Sequence, residues 1–255
     1  MSGEGKLSPA DPYGALRAAT PARIGLGRSG DALPTRALLD FQLAHARARD
    51  AVHGALDAPA LAQAFAPLPT VLAQSQVGDR SIYLRRPDLG RRLDAPSRLK
   101  LEALAGAPDV VFVVADGLSA AAVQAQAAPL IAACLPGLQG LTIGPVAVAT
   151  FARVALGDEI GALLGAKICA VLIGERPGLS VADSLGVYLT HDPRPNRRDS
   201  ERNCISNIHR NGGLSIEQAA AKLVWLLREA LRRGRTGVEL KEESPHIALA
   251  RPAIG

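Results

Sequence analysis

Aromatic residues are scarce in this chain: Phe, Tyr and Trp together make up 3% of it, with one Trp and one Met. Its core is therefore built from Ala, Leu, Val and Ile, which suits helices packed on a buried sheet and argues against an all-β protein. Cysteine is scarce too, and Cys134, Cys169 and Cys204 are far apart and odd in number. That excludes a disulfide framework and a Cys-x-x-Cys metal site, and points to reduced thiols. No uninterrupted apolar stretch reaches the length of a membrane span, and the N-terminus lacks a basic-then-apolar signal layout. The expectation is a soluble, cytoplasmic protein with no membrane partner. Acidic residues are modestly outnumbered, 24 against 29 Lys and Arg, and the excess is spread along the chain. Without an aromatic-interleaved basic motif this argues against nucleic acid, and leaves an acidic partner or a phosphate-bearing ligand. A Ser-His-Asp context, a zinc-ligand cluster and a Walker loop are all missing.

What is present, 255 residues of which 48% are hydrophobic, is enough for one large domain or one ordinary domain with a smaller attachment. The organising stretch is Ile168-Cys169-Ala170-Val171-Leu172-Ile173, followed by Gly174-Glu175-Arg176-Pro177-Gly178. Six apolar residues without alternation read as a parallel strand covered on both faces, and the glycines and proline after it read as a tight turn. In open α/β sheets ligands bind outside the carboxyl ends of the strands, which places Glu175 and Arg176 in a binding position. Similar strands are expected at 110–115, 144–150 and 185–190. Helices are expected from Ser119 to about 135, over 158–164 with Gly165 as C-cap, and over 215–232 behind a Ser215/Gln218 capping box. The resulting fold class is α/β, a Rossmann-like doubly wound, mainly parallel sheet with a helical N-terminal region. Three segments follow: a disordered lead-in over 1–12, a helical region with a basic interface loop over 13–95, and the Rossmann-like binding domain over 96–255.

Within the second segment, residues 22–30 carry three glycines and two arginines, readable as a structural turn or a phosphate cradle. A helix opens at Pro34 and Thr35 and runs to about 56 with an apolar stripe through Leu38, Leu39, Phe41 and Leu43. His45 and His53, eight apart on it, suit a surface or cap better than a metal. The run Leu84-Arg85-Arg86-Pro87-Asp88-Leu89-Gly90-Arg91-Arg92-Leu93 is an exposed basic loop, solvated or part of an interface. Asp116 is open to three roles: general base, ribose-binding carboxylate, or cap of its own turn. Glu175 is either a ligand contact or the ion-pair partner of Arg176. The polar run Asn203-Cys204-Ile205-Ser206-Asn207-Ile208-His209-Arg210-Asn211-Gly212-Gly213 ends at a helix N-terminus, where free amides can meet an anion or polar ligand. There Cys204 and His209 would need spatial adjacency to act as a nucleophile pair. Asn207-x-His209-x-x-Gly212 departs at its first residue from the Asp-x-His-x-x-Gly pattern that supplies histidine to cobalt.

Taken together, the 84–93 run, Asp116-Gly117-Leu118-Ser119, Gly165-Ala166-Lys167, Gly174-Glu175-Arg176-Pro177-Gly178-Leu179 and Cys204-Ile205-Ser206-Asn207-Ile208-His209 resemble the small (light) subunit of ethanolamine ammonia-lyase. The motifs stand in the family's order across about residues 20–240. The resemblance implies an adenosylcobalamin-dependent radical enzyme that converts ethanolamine to acetaldehyde and ammonia. It also implies a TIM-barrel large subunit that holds substrate and catalytic residues, with the small subunit helping to clamp the cofactor. Cobalamin contacts carried over from the family fall on Val154, Glu175 and Cys204, with no catalytic or metal-ligating residue on this chain. The cobalamin is implied to be base-on, so His209 need not ligate cobalt. The N-terminal extension associated with bacterial microcompartment targeting is short here, which favours a cytoplasmic location over encapsulation. The competing expectation is a self-sufficient nucleotide-dependent enzyme using Asp116 and Glu175.

Overall fold

A computed structural model of the chain describes residues 11–20 and 22–243. Most of the expected lead-in and the last twelve residues of the expected third segment lie outside the described residues. The elements in chain order are α1 (Gly14–Ala19), α2 (Thr35–His53), α3 (Ala58–Gln63), β1 (Thr70–Gln74), α4 (Arg80–Arg85), α5 (Ala95–Glu102), β2 (Val110–Ala115) and α6 (Ala120–Cys134). After them come β3 (Val146–Thr150), α7 (Leu156–Leu164), β4 (Ile168–Gly174), β5 (Leu185–His191), β6 (Asn203–Ile208) and α8 (Ile216–Arg233).

The strands form one sheet in the order β1-β3-β2-β4-β5-β6. From β1 to β4 the pairings are parallel, and β4–β5 and β5–β6 are antiparallel. The sheet is therefore mixed, which corrects the expectation of a mainly parallel one. The physical reason lies in the connection from β4 to β5, residues 175–184, which contains no helix. A return to parallel requires a crossover of a dozen or more residues, whereas a short loop permits only a hairpin.

β2 and β4 are buried along their whole length, as their unalternating apolar sequences demand. On one face Val110, Phe112, Val114, Ile168, Ala170 and Leu172 pack with residues of α3, α6 and α8. On the other, Val111, Val113, Cys169 and Val171 meet Leu101 of α5 and Leu156, Ile160 and Leu164 of α7. Each fully buried Leu or Ile contributes roughly 1.5–3 kcal/mol, so these two cores supply the bulk of the fold's stability. Gln126 aside, the buried side of α6 is apolar, and the stretch from Ala120 to Leu138 is long and apolar enough by composition to cross a membrane. Here it is a core helix between sheet and α8.

Local signals behave as their chemistry dictates. Ser119 and Ser215 accept from the amides of Ala122 and Gln218, Gln218 returns the bond to the Ser215 amide, and Gly165 closes α7. The apolar stripe of α2 does not enter a core: Leu38, Leu39, Phe41 and Leu43 are 39–57% exposed. Residues 22–30 form a local turn whose carbonyls at Ile24 and Gly25 accept from Arg17. The expected basic loop is partly helical: α4 buries Tyr83 completely while Arg85, Arg86, Arg91 and Arg92 stay exposed.

A candidate ligand crevice at the strand ends

The carboxyl ends of β2, β3 and β4 open onto a crevice of about 290 Å³, whose wall includes Tyr83, Arg153, Val154, Gly174, Glu175 and Tyr188. Its floor exists because two glycines allow main chain to approach main chain. A Cβ on Gly117, which has φ +55°, would stand 2.3 Å from the Gly174 carbonyl oxygen, and one on Gly174 would stand 2.1 Å from that of Ser119. Neither contact survives any side chain. Gly174 thus belongs to β4 itself and serves close approach as well as strand termination.

Val154 and Glu175, expected as ligand contacts on separate loops, share this crevice, and both are half-buried. Cys204 sits directly opposite Tyr188 across the β5–β6 ladder, so its side chain emerges on the same face, beside the crevice. The polar run at 203–208 is thereby a strand and not a loop. Its alternation of exposed polar residues with buried Ile205 and Ile208 marks an edge strand with one solvated side.

Glu175 does not pair with Arg176 among the described ion pairs. Its Oε2 accepts from the Ser184 hydroxyl at 2.5 Å and from the Asn207 amide at 3.3 Å, and its own amide donates to the Ser184 carbonyl. One carboxylate therefore joins the loop after β4, the start of β5 and the end of β6. Its Oε1 has no hydrogen-bond donor among the described residues and lies over Gly186.

Asp116 reaches beyond its own turn. It is 4% exposed; Oδ2 accepts from the Phe151 amide and Oδ1 from the Ala152 amide, both at 2.9 Å, with the Arg80 guanidinium 3.4 Å from Oδ2. Burial pushes its carboxyl above the ordinary range, opposed by those two amides and by Arg80. A carboxylate so engaged is not free to serve as a general base, which removes the self-sufficient enzyme's principal residue.

The thiol–imidazole pair is not formed either. Cys204 lies within β6 while His209 lies beyond its end, on the order of 10 Å or more away along extended chain. Desolvation pushes the Cys204 thiol up, with Glu175 adding to the effect and Tyr188 opposing it, so it is a neutral thiol and not a nucleophilic thiolate. His209 is 8% exposed and its Nδ1 has no hydrogen-bond partner among the described residues. Among the described residues no cluster of His, Cys, Asp and Glu is arranged to hold a metal.

Sequence reasoning missed Tyr83, Arg153, Tyr188, Ser184 and Asn207. Tyr188 carried a signal, being the one aromatic in β5; the others become visible once strand order is known. Arg153 and Arg80 both lie over the Tyr83 ring, with guanidinium carbons 4.1 and 4.7 Å from its centroid.

The arrangement offers hydroxyl, carboxylate, guanidinium and main-chain groups on one open wall, suited to a ligand rich in amides and hydroxyls. At the lower edge of the roughly 300–1,000 Å³ typical of enclosed small-ligand pockets, it is too small to enclose a large cofactor alone. Comparison with known proteins is consistent over nearly the whole chain. A family model described as ethanolamine ammonia-lyase light chain (EutC) matches residues 10–241. A protein of Bradyrhizobium diazoefficiens named ethanolamine ammonia-lyase small subunit is 57% identical over 235 residues, covering 90% of each chain. Proteins of the same name from Rhodopseudomonas palustris and Ralstonia nicotianae are 56% and 53% identical, covering 90% and 91% of this chain and 89% and 88% of theirs.

Proposed function

This chain belongs to the ethanolamine ammonia-lyase light-chain family, and from that premise we propose that the crevice at Val154 and Glu175, with Cys204 on its flank, is the surface against which adenosylcobalamin is held. The chain is the small subunit of an ammonia-lyase and one part of a hetero-oligomer acting on ethanolamine. The observation that carries the cofactor reading is convergence: motifs far apart in sequence bring Val154 and Glu175 into one crevice and Cys204 to its edge.

The residues present fit a corrinoid. Cobalamin presents neutral amides, ribose hydroxyls and one phosphodiester, and the wall offers the free Oε1 of Glu175 to donors and the Arg153 and Arg176 guanidinium groups to acceptors. When bound, adenosylcobalamin supplies the radical chemistry. This chain's residues bind and orient it, and the small volume of the crevice requires a second wall from a larger partner. That partner, a TIM-barrel large subunit, holds ethanolamine and the main catalytic residues. The exposed apolar row on α2 and the exposed arginines at 85, 86, 91 and 92 in the segment over 13–95 support a protein-covered face. The enzyme works in the cytoplasm, and this chain would bind the cofactor without supplying a ligand to cobalt.

The test is reconstitution. Co-expressed with its large subunit, the chain gives adenosylcobalamin-dependent release of ammonia from ethanolamine, and Val154→Asp, which puts a charge on the crevice wall, raises the cofactor concentration needed for half-maximal rate. Turnover by the purified chain alone would overturn the assignment of catalysis to the partner, and an unaltered half-saturating concentration in Val154→Asp would overturn the crevice.

A further inference from the structure

The segment that follows β3 turns away from the sheet at Phe151, whose φ of +52° is unusual for a bulky residue. Local sequence does not hold it in that shape; side chains from three other parts of the fold do. Asp116, at the end of β2, accepts both the Phe151 and the Ala152 amide. The Ser75 hydroxyl, just past β1, donates to the Phe151 carbonyl at 2.7 Å, and the Tyr83 hydroxyl of α4 donates to the Ala152 carbonyl at 2.9 Å. Every main-chain polar group of these two residues is thus taken by a side chain, and Ser75, Tyr83 and Asp116 are 1%, 0% and 4% exposed. The next two residues, Arg153 and Val154, are crevice wall.

We propose that Asp116 and Ser75 are positioning residues for cobalamin: buried and out of reach of the ligand, they hold the 151–154 segment in the one shape that presents Val154 to it. The inference rests on the crevice being the cobalamin surface. Arg80 belongs to the same device, since it lies 3.4 Å from Asp116 Oδ2 and donates to the carbonyls of Gly117 and Val52. It ties the clamp to the glycine floor of the crevice and to α2. Fixing four main-chain groups at once removes the freedom of the segment before the ligand arrives, so binding need not supply that ordering.

The experiment compares Ser75→Ala, Asp116→Asn, Asp116→Ala and Val154→Asp in the complex with the large subunit, measuring half-saturating adenosylcobalamin by spectroscopic titration without substrate, and kcat separately. Loss of one hydrogen bond of ordinary strength corresponds to roughly fivefold in half-saturation. Ser75→Ala and Asp116→Asn are expected to shift it by about that factor and to lower kcat by less. Asp116→Ala shifts it further, and Asn restores part of the loss because it keeps one acceptor. Where Asp116→Ala does not assemble, Ser75→Ala, which removes a single hydroxyl, carries the test. If Val154→Asp raises half-saturation while Ser75→Ala and Asp116→Asn leave it unchanged and only lower thermal stability, the clamp is structural and the inference is overturned with the crevice intact. If Val154→Asp also has no effect, the crevice assignment fails and takes the inference with it.

Discussion

Replacing Glu175 separates a ligand contact from a loop brace, because its two oxygens have different surroundings. Oε2 is occupied by Ser184 and Asn207, and Oε1, over Gly186, has no donor among the described residues. A cofactor donor reaching Oε1 makes a hydrogen bond to a charged acceptor, worth about 1.5–3 kcal/mol net, which corresponds to roughly 10- to 150-fold in Kd. Glu175→Ala removes that contact together with both internal bonds. The internal losses are unequal: Ser184 is buried and is left with an unpaired hydroxyl, while the exposed Asn207 amide turns to water. Glu175→Gln keeps one neutral acceptor, and its loss is about 1 kcal/mol, roughly fivefold. On the proposed cobalamin surface the carboxylate is expected to meet hydroxyl or amide donors rather than the phosphodiester, which would repel it. Affinity in the reconstituted enzyme therefore falls in the order wild type, Gln, Ala, with the fold retained since Glu175 lies outside both cores. Cobalamin titration of the three enzymes measures this, and equal affinities would refute the contact and leave Glu175 as a brace between Ser184 and Asn207.

The remaining predictions concern groups away from that contact. Arg202 donates bidentately to Asp158 at 2.6 and 2.7 Å with both side chains at most 2% exposed; burial pulls the guanidinium down, but the bonds and charge of Asp158 outweigh it and push it up. Asp158→Ala removes the buried counter-charge and leaves the cation only the exposed Asp199 at 3.4 Å, at a cost of about 3 kcal/mol, roughly 6–12 °C in Tm, whereas Asp158→Leu with Arg202→Met recovers most of it; a single variant melting like wild type refutes the account. Asp109 is held down to about 2 from the ordinary 3.8, first by Lys167 and then by Thr142. Its contribution is present above pH 3.8 and is lost as pH falls through about 2; with Lys167 63% exposed, screening leaves about 1 kcal/mol. Asp109→Asn should therefore be less stable at neutral pH by that amount, with the gap closing in acid; a gap independent of pH refutes it. His209→Ala should leave cobalt coordination unchanged, and a protein nitrogen on cobalt in the electron paramagnetic resonance of the cob(II)alamin state with labelled histidine refutes that.

How legible each element was follows from where its information lies. β2 and β4 announce themselves because burial on both faces demands unbroken apolar sequence, and the Ser119, Gly165 and Ser215 caps because a helix end needs specific atoms within three residues. β1 was hidden because its five residues alternate in burial beside Pro67 and Pro69, and β6 because Asn203, Cys204, Ser206 and Asn207 give an edge strand the texture of a loop. The role of Asp116 was not written locally at all, since its amide donors stand 35 and 36 residues away. Nor was that of Glu175, whose donors come from either end of the antiparallel ribbon.

That ribbon is also why the failed expectation of a parallel β5 strengthens the site. Had β5 run parallel to β4, its first residue would lie at the opposite end of the sheet, and Ser184 could not reach Glu175. Because β5 returns antiparallel, Gly174 pairs with Leu185, so residues 175 and 184 leave the sheet side by side. β6 then reverses again and runs with β4, and Leu185 pairs with Ile208, which brings Asn207 to the same edge. Three strand ends meet there, and one carboxylate binds two of them to the third. On the other side of β4 the parallel strands deliver Asp116 and the 151–154 segment to that edge by the ordinary rule for open sheets. The mixed sheet thus builds a wall from both halves, each braced by a buried or half-buried carboxylate taking two donors, Asp116 for Val154 and Glu175 for the hairpin beside Cys204. A wall anchored along its back in this way and open in front needs a facing surface to enclose a ligand, and that is the place the proposed function gives to the larger subunit.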